Sequence, residues 1–419
     1  MNDSVQSRRL GNDARAAASA LSQTSAEQRD AAIDSMAKQL VEQEQEILAA
    51  NALDVASAER REVSAAMVDR LTLDRERLAS IAAALRDIAS MADPLGRVIG
   101  ETTRPNGLHI SKVTVPLGVI GIIYESRPNV TADAAAICLK AGNAVLLRGG
   151  TDSANSSNAI VNAVRTALDQ VGMPVNAIQR MPDQDRRWVG ELLSGLHGSV
   201  DVVVPRGGRG LVERVQRDAR VPVIGHLEGL CHTFIHHSAD EAMALAVVVN
   251  AKMRRTGICG ALEKLLIDVN WPTDSKRALL ANLIDSGCEL RGDAAICSLD
   301  SRVLPATESD WRTEYLAPVL TVAQVADTAA AVNHIATCGS GHTDAIVAAD
   351  TEAAEHFLAR VDSAIVMHNA STQFADGGEF GLGAEIGIST GKLHARGPVG
   401  AQELTSYKHV VRGAGQTRA

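Results

Sequence analysis

Apolar positions in residues 12–92 recur at helical spacing: Ala16, Ala20 and Leu21, then Ile33, Met36 and Leu40, then Leu71, Leu73, Ile81 and Leu85. Residues three or four apart share one face of a helix and leave the intervening Glu, Gln and Arg to water. The pattern predicts amphipathic helices with a polar break near 59–63, closed by Pro94 and Gly96. From 98 to 115 the period changes. VIGETTRPNGLHISKVTV has two alternating arms around Pro105–Asn106–Gly107, the signature of a hairpin.

The next stretches alternate buried strands with helices. Val119–Tyr124 and Val145–Leu147 read as strands. Between them Arg127–Pro128–Asn129 reads as a turn, and a helix starts at Thr131 and Asp133 and ends at Lys140 and Gly142. A further helix begins near Ser153. DVVVP (201–205), RGGRG (206–210) and LVERVQRDAR (211–220) repeat the rhythm as strand, glycine-rich turn and helix. Such β-α-β order builds a parallel sheet with ligands at the strand carboxyl ends. The stretch from Val221 to His236 reads as two strands flanking a bend at His226–Gly229. A second α/β rhythm follows, with strands at 262–268, 319–323, 344–348 and 363–367 and helices at 274–287, 325–337 and 351–360. Residues 369–400 are rich in glycine but carry Asp376, Glu379, Phe380, Lys392, His394 and Arg396, which favours an ordered loop over a linker.

The bulk composition removes several classes of function. The chain has 419 residues, enough for two or three domains, and a net charge of −9 from 41 basic and 50 acidic residues, with 2% aromatics. A nucleic-acid binder would carry a basic face and stacking aromatics. No window has the length and apolarity of a membrane span, and the arginine pair near the N-terminus is not followed by the apolar core of a secretory signal. Cys138, Cys231, Cys259, Cys288, Cys297 and Cys338 show no CxxC spacing, which excludes a zinc ribbon and fits reduced thiols in a cytoplasmic protein.

The stretch richest in chemistry is AMALAVVVNAKMRRTGICGALEKLLID, residues 242–268. A helical run ends in Lys252, Arg254 and Arg255. A loop then places Cys259 between Gly257 and Gly260, and a strand follows. A thiol on a loop near positive charge is suited to act as a thiolate nucleophile. A small buried hydrophobe is the commoner fate of a cysteine, and this stretch alone leaves both open. Arg148, just past a strand, is suited to a phosphate. Gly207 and Gly208 offer amides at a helix N-terminus, where an anion fits. Three histidines and Cys231 cluster between 226 and 236, but without a carboxylate–histidine pattern or a distant matching pair, so no metal is expected.

Four blocks, taken together and in order, resemble a known family: ESRPNVTADAAAICLKAGNAVLLRGG, PRGG, NAKMRRTGICGALE and FADGGEFGLGAEIGISTGKLHARGP. The chain is similar to the aldehyde dehydrogenase superfamily, and most specifically to its gamma-glutamyl phosphate reductases, from the N-terminal helices to about Tyr407. The resemblance implies an α/β fold with three parts. These are a Rossmann-like NADP-binding domain over 1–225, with the hairpin flap 98–115 inserted and 369–400 returning to it; a smaller catalytic domain over 226–368 carrying Cys259; and an oligomerisation strand in 401–419. It implies NADPH-dependent reduction of L-glutamyl 5-phosphate to L-glutamate 5-semialdehyde and phosphate through a cysteine thioester, the second step of proline biosynthesis from glutamate. By the same resemblance Cys259 is the nucleophile, and Asn129 with the Cys259 N–H holds the oxyanion. Arg148, Gly207, Gly208 and Glu314 contact NADP(H), while Arg127, His394 and Arg396 are candidates for the substrate's amino and carboxylate groups. The implied partners are the small-molecule substrate, a further copy of the chain in a homo-oligomer, and a transient contact with glutamate 5-kinase, which makes the labile acyl phosphate.

The sequence departs from the superfamily at two points. The hydrolytic members carry a general-base glutamate upstream of the cysteine. Here the bend reads HLEGL (226–230) and Glu228 is out of register, as expected of a reductase that activates no water. The nicotinamide-contact motif reads EYLAP (314–318), with Leu316 in place of the usual phenylalanine. An aldehyde-oxidising dehydrogenase of the same superfamily and a non-catalytic relative are the alternatives; the RPN and HARGP blocks count against the first and the presence of Cys259, Asn129 and Glu314 against the second.

Overall fold

The computed structural model describes residues 3–418. The chain divides into two compact units. One runs to Gly225 and takes in Gly381–Gly387 and the stretch from Val399 onward; the other comprises His226–Phe380 and Ile388–Pro398. The glycine-rich tail expected to return whole to the first unit is therefore split. Residues 369–380 and 388–398 stay with the second unit, where a two-stranded ladder (Ile388–Ser389 with Gly397–Pro398) and ties from Lys392 and Arg396 to Asp362 hold them.

The first unit opens with five helices: α1 (Asp3–Leu21), α2 (Ala26–Glu42), α3 (Glu44–Arg60), α4 (Ala65–Leu71) and α5 (Arg75–Ser90). Their starts are written locally. Ser25 and Gln28 form a reciprocal capping box on α2, and Asp74 caps α5 through the Arg77 N–H. Ile33, Met36 and Leu40 are fully buried on the predicted face of α2. The hairpin follows as β1 (Val98–Thr103) and β2 (His109–Pro116), antiparallel around Pro105–Asn106–Gly107. The α/β part consists of β3 (Val119–Tyr124), α6 (Asn129–Lys140), β4 (Ala144–Arg148), α7 (Ala154–Gln170), β5 (Ile178–Arg180), α8 (Arg187–Leu193), β6 (Val202–Arg206) and α9 (Arg209–Asp218). The sheet order is β5-β4-β3-β6, all parallel. β3 and β4 are buried along their whole length, which is why they read as unbroken apolar runs. The strand expected before the His226 bend is reduced to one bridge, Val203 with Val223 at the β6 edge. Pro222 lies beside it and has no N–H to continue a ladder.

The second unit is built on β7 (Cys231–Ile235), α10 (Glu241–Met253), β8 (Leu262–Asp268), α11 (Thr273–Asp285), β9 (Glu289–Gly292), α12 (Ala294–Cys297), β10 (Leu304–Pro305), β11 (Val319–Val325), α13 (Thr328–Cys338), β12 (Thr343–Val347), α14 (Thr351–Arg360) and β13 (Ile365–His368). Its seven strands run parallel in the order β10-β9-β11-β8-β7-β12-β13. Two apolar clusters sandwich the sheet. One holds Leu265, Ile267, Leu279, Leu283 and Leu320; the other holds Phe234, Leu266, Ile346 and Phe357. The short ladder already noted supplies β14 (Ile388–Ser389) and β15 (Gly397–Pro398). β16 (Thr405–Arg412), back in the first unit, pairs antiparallel with β2 over eight residues and completes the sheet β1-β2-β16. Among the described residues no helix is long and apolar enough to cross a membrane.

Candidate active site

Cys259 lies in the loop between α10 and β8, at the amino end of β8. The residues around it in the second unit also precede strands: His226 and Glu228 before β7, Glu314 before β11, His342 before β12. The strand order places β8, β7 and β12 side by side, so loops far apart in sequence share one edge of the sheet. The Cys259 sulfur and one nitrogen each from His226 and His342 lie within 4.8 Å of one another. The two imidazoles meet edge to face, with ring centroids 4.7 Å apart. His226 Nδ1 donates to the Ile388 carbonyl at 2.7 Å, which turns its Nε2 towards the sulfur. His342 is fully buried; its Nδ1 lies 2.9 Å from Thr343 Oγ1, and its Nε2 has no hydrogen-bond partner.

Burial on its own would raise the Cys259 pKa. The facing His342, together with the hydrogen bond and charge of His226, outweighs it and holds the thiol well below its usual range. The positive charge near the thiol is thus histidine, not the basic cluster singled out in the sequence. Lys252 is fully buried 3.3 Å from Glu263, and Arg254 reaches Gln373. The other thiols contrast with Cys259. Burial pushes Cys138 and Cys231 up strongly and Cys288 to about 11. The Cys231 thiol donates to the Cys259 carbonyl at 3.1 Å and so helps fix the loop.

The loop geometry depends on a glycine that the sequence marked only as part of a bend. A Cβ on Gly229 would stand 2.0 Å from the Cys259 carbonyl oxygen. Only hydrogen at that position lets the 226–230 bend lie along the cysteine backbone. The Gly229 N–H donates to Glu314 Oε1 at 2.9 Å, so Glu314 is tied to the same bend. Burial raises the Glu314 pKa, and the nearby Cys259 adds to the rise. Behind it, Glu263 accepts from the Tyr315 and Leu316 N–H groups at 3.3 Å, anchoring the EYLAP loop where Leu316 takes a left-handed conformation (φ +51). The buried Lys252–Glu263 pair therefore acts as a support for Glu314.

The remaining predicted residues fall into two groups. In the first unit, Asn129 is the first residue of α6, two residues earlier than the predicted helix, and its amide donates to Asp133 Oδ2 at 3.0 Å. Arg148 ends β4. Its guanidinium donates to the Gly149 and Gln184 carbonyls, while its Nε is buried without a partner. Burial lowers its pKa and the charges of Arg186 and Arg214 lower it further, with Asp183 and Glu125 pulling the other way. The Gly208 N–H, read as an open anion site, instead donates to Glu125 Oε2 at 2.9 Å. The same carboxylate oxygen sits 2.5 Å from where a Gly207 Cβ would be. In the second unit, Arg396 is committed to Asp362 at 2.6 Å and His394 is exposed in the same loop; Arg127, in the first unit, is half-buried before α6. His342 is the residue that sequence reasoning missed, and only the strand order could have found it.

The aldehyde dehydrogenase family pattern matches residues 2–283 and 303–410. The chain is 56% identical over 409 residues to the gamma-glutamyl phosphate reductase of Novosphingobium aromaticivorans, covering 98% of this chain and 96% of that protein. It superposes with a TM-score of 0.96 on the crystal structure of the gamma-glutamyl phosphate reductase of Thermotoga maritima, at 41% identity over 98% of this chain and 99% of that one. An engineered glycolyl-CoA reductase with bound NADP+ shares the fold at a TM-score of 0.68 and 16% identity, covering 97% of this chain and 96% of that one.

Proposed function

Because the chain belongs to the aldehyde dehydrogenase family and, within it, to the gamma-glutamyl phosphate reductases, we propose that it reduces L-glutamyl 5-phosphate to L-glutamate 5-semialdehyde with release of phosphate. The observation that carries the reading is the Cys259 sulfur gathered with His226 and His342, which hold its pKa well below the usual thiol range while burial raises that of Cys231. An acyl phosphate is already activated, so a good nucleophile suffices. The Cys259 thiolate attacks the acyl carbon, the carbon–oxygen bond to phosphate breaks, and a thioester forms on the sulfur. NADPH, the nicotinamide cofactor we assign, would supply when bound the hydride for the thioester carbon. The resulting oxyanion is stabilised by the Asn129 amide and the Cys259 backbone N–H. Collapse breaks the carbon–sulfur bond, returns the thiolate and frees the aldehyde. The departing phosphate takes up one proton from solvent, and His226 and His342 then face the same charge as at the start.

The first unit's residues fit a phosphorylated cofactor, because Arg148 has a buried donor without a partner amid the like charges of Arg186 and Arg214. We assign Arg148 to the 2′-phosphate of NADPH and Glu314 to the nicotinamide ribose. Gly207 and Gly208 would approach the cofactor through their missing side chains. Arg127, His394 and Arg396 remain our candidates for the substrate's amino and carboxylate groups. The reaction would be the second step of proline biosynthesis in the cytoplasm. We assign β1-β2-β16 to homo-oligomer contact and glutamate 5-kinase to transient docking.

The reaction is tested in reverse. The protein receives glutamate semialdehyde, NADP+ and phosphate, and NADPH absorbance is followed beside Cys259→Ala. Phosphate-dependent NADPH formation that is lost in the variant is expected. Formation without phosphate would instead mark an aldehyde-oxidising, hydrolytic enzyme. No formation in either protein would mark a non-catalytic relative.

A further inference from the structure

We infer that the Cys259 pocket is also a capture site for a thiophilic divalent cation of the Zn2+ type, which closes the nucleophile reversibly. The donor set suits that ion: one thiolate and two imidazoles, the ligands zinc prefers, with three protein donors leaving a fourth position open. The geometry is nearly in place. Zinc takes sulfur at about 2.3 Å and imidazole nitrogen at about 2.0–2.1 Å, and the three donor atoms already lie within 4.8 Å of one another. A small inward movement brings them onto one ion.

Each histidine is also oriented as a ligand. A metal-bound imidazole donates its other ring N–H to a fixed acceptor, which sets the tautomer and ring direction. His226 does so through Nδ1 to the Ile388 carbonyl at 2.7 Å. His342 holds Thr343 Oγ1 with Nδ1 at 2.9 Å and leaves Nε2 buried without a partner. A buried imidazole nitrogen with no hydrogen bond is a cost, which a cation ligated by that nitrogen would remove. The binding step balances simply: the thiolate sulfur donates an electron pair to the metal. No redox change is involved.

The sequence argued against a metal because it lacked a distant matching pair. His342 is that distant ligand, brought alongside by the β8-β7-β12 order. A second group of three donors, His236, His237 and Asp268, lies at the other end of the same strands. It is less suited. His236 Nδ1 is engaged by Ser238, Asp268 Oδ1 accepts from the Asn270 N–H, and the His237 side chain is 51% exposed.

The test uses the full chain, ZnCl2 and a readout other than turnover. The rate of Cys259 alkylation by iodoacetamide is measured by peptide mass spectrometry with and without one equivalent of Zn2+, followed by a chelator. At least tenfold protection, reversed by the chelator, is expected. His342→Ala and, separately, the half-buried His226→Ala should lose that protection, whereas His237→Ala should keep it. Co2+ in place of Zn2+ should show a sulfur-to-metal charge-transfer band that is absent in Cys259→Ser. Protection that survives both pocket variants, protection that disappears with His237→Ala, or cobalt bound with no sulfur band would each overturn the inference.

Discussion

Arg148 ends β4, Arg206 ends β6 and Glu125 follows β3, so the charged residues of the first unit gather at the carboxyl end of its parallel sheet. In the second unit Cys259, His226, Glu314 and His342 all precede strands and gather at the amino end. The difference has an electrostatic consequence. A carboxyl end is followed by helix N-termini, whose free amides favour anions without help from side chains. An amino end is fed by helix C-termini, here those of α10 and α13, which favour cations and work against a thiolate. The two imidazoles therefore supply what a helix N-terminus supplies to reactive cysteines elsewhere. In the first unit one such amide, the Gly208 N–H, is already taken by Glu125, so Arg148 is the charge left for an anion; in the second unit the thiol depends on two particular side chains.

The comparison breaks most severely at Gly229. Gly229→Ala places a methyl group 2.0 Å from the Cys259 carbonyl oxygen, so the nucleophile loop must move. A loss of turnover of about a hundredfold or more is expected, because a displacement of roughly 1 Å costs that much. Circular dichroism should still show the parallel sheets. Near-normal kcat in this variant would mean that the amino-end loop is not pre-organised.

His342→Ala comes next. Cys259 loses its largest source of positive potential, its pKa rises, and alkylation at about pH 7 should slow by roughly ten- to a hundredfold. The midpoint of the pH–rate curve should move upward. In the unaltered protein Cys259 should label at neutral pH, while Cys138, Cys231 and Cys288 need alkali or unfolding. Equal labelling of all the thiols would undo the contrast between the units.

Arg148→Ala addresses the carboxyl end. Loss of one charge-assisted phosphate contact is expected to raise KM for NADPH by about tenfold, with kcat little changed and the NADH reaction untouched. An equal loss with both cofactors would remove Arg148 from the 2′-phosphate.

The smallest effect concerns Asp133, which accepts from Asn129. Burial raises its pKa to about 6, although Asn129 and Arg206 pull the other way. A carboxyl raised in the folded state adds stability below its unfolded pKa of about 4, and that stability is lost as pH rises through about 6. Urea titrations of Asp133→Asn should lack this downward step. An unchanged pH profile would place the carboxyl in water.

Much of the architecture could be read from the chain. The helices before Ser90, the hairpin, and the strand at 262–268 follow from period alone, because each buries one face or both. Cys259 was legible because a thiol between two glycines at the end of a helix is unusual. The pocket around it was not, since a parallel sheet joins strands out of sequence order and no pattern in the loop before β12 announces that His342 will meet Cys259. Lys252 misled for the opposite reason. It is near in sequence but turns inward to Glu263, and a helical basic residue close to a cysteine carries no sign of which way it points.

β16 lies across β2, register after register, from Thr405 opposite Pro116 to Arg412 opposite His109. A ribosome makes β2 long before β16, and the whole second unit is synthesised in between. Until β16 emerges, one side of β2 carries an unfilled row of amide and carbonyl groups, the kind of edge that recruits strands from other nascent chains. The flap sheet is thus the last part of the first unit that can close during synthesis, and slower translation downstream of β2 would lengthen the interval in which that edge needs a chaperone.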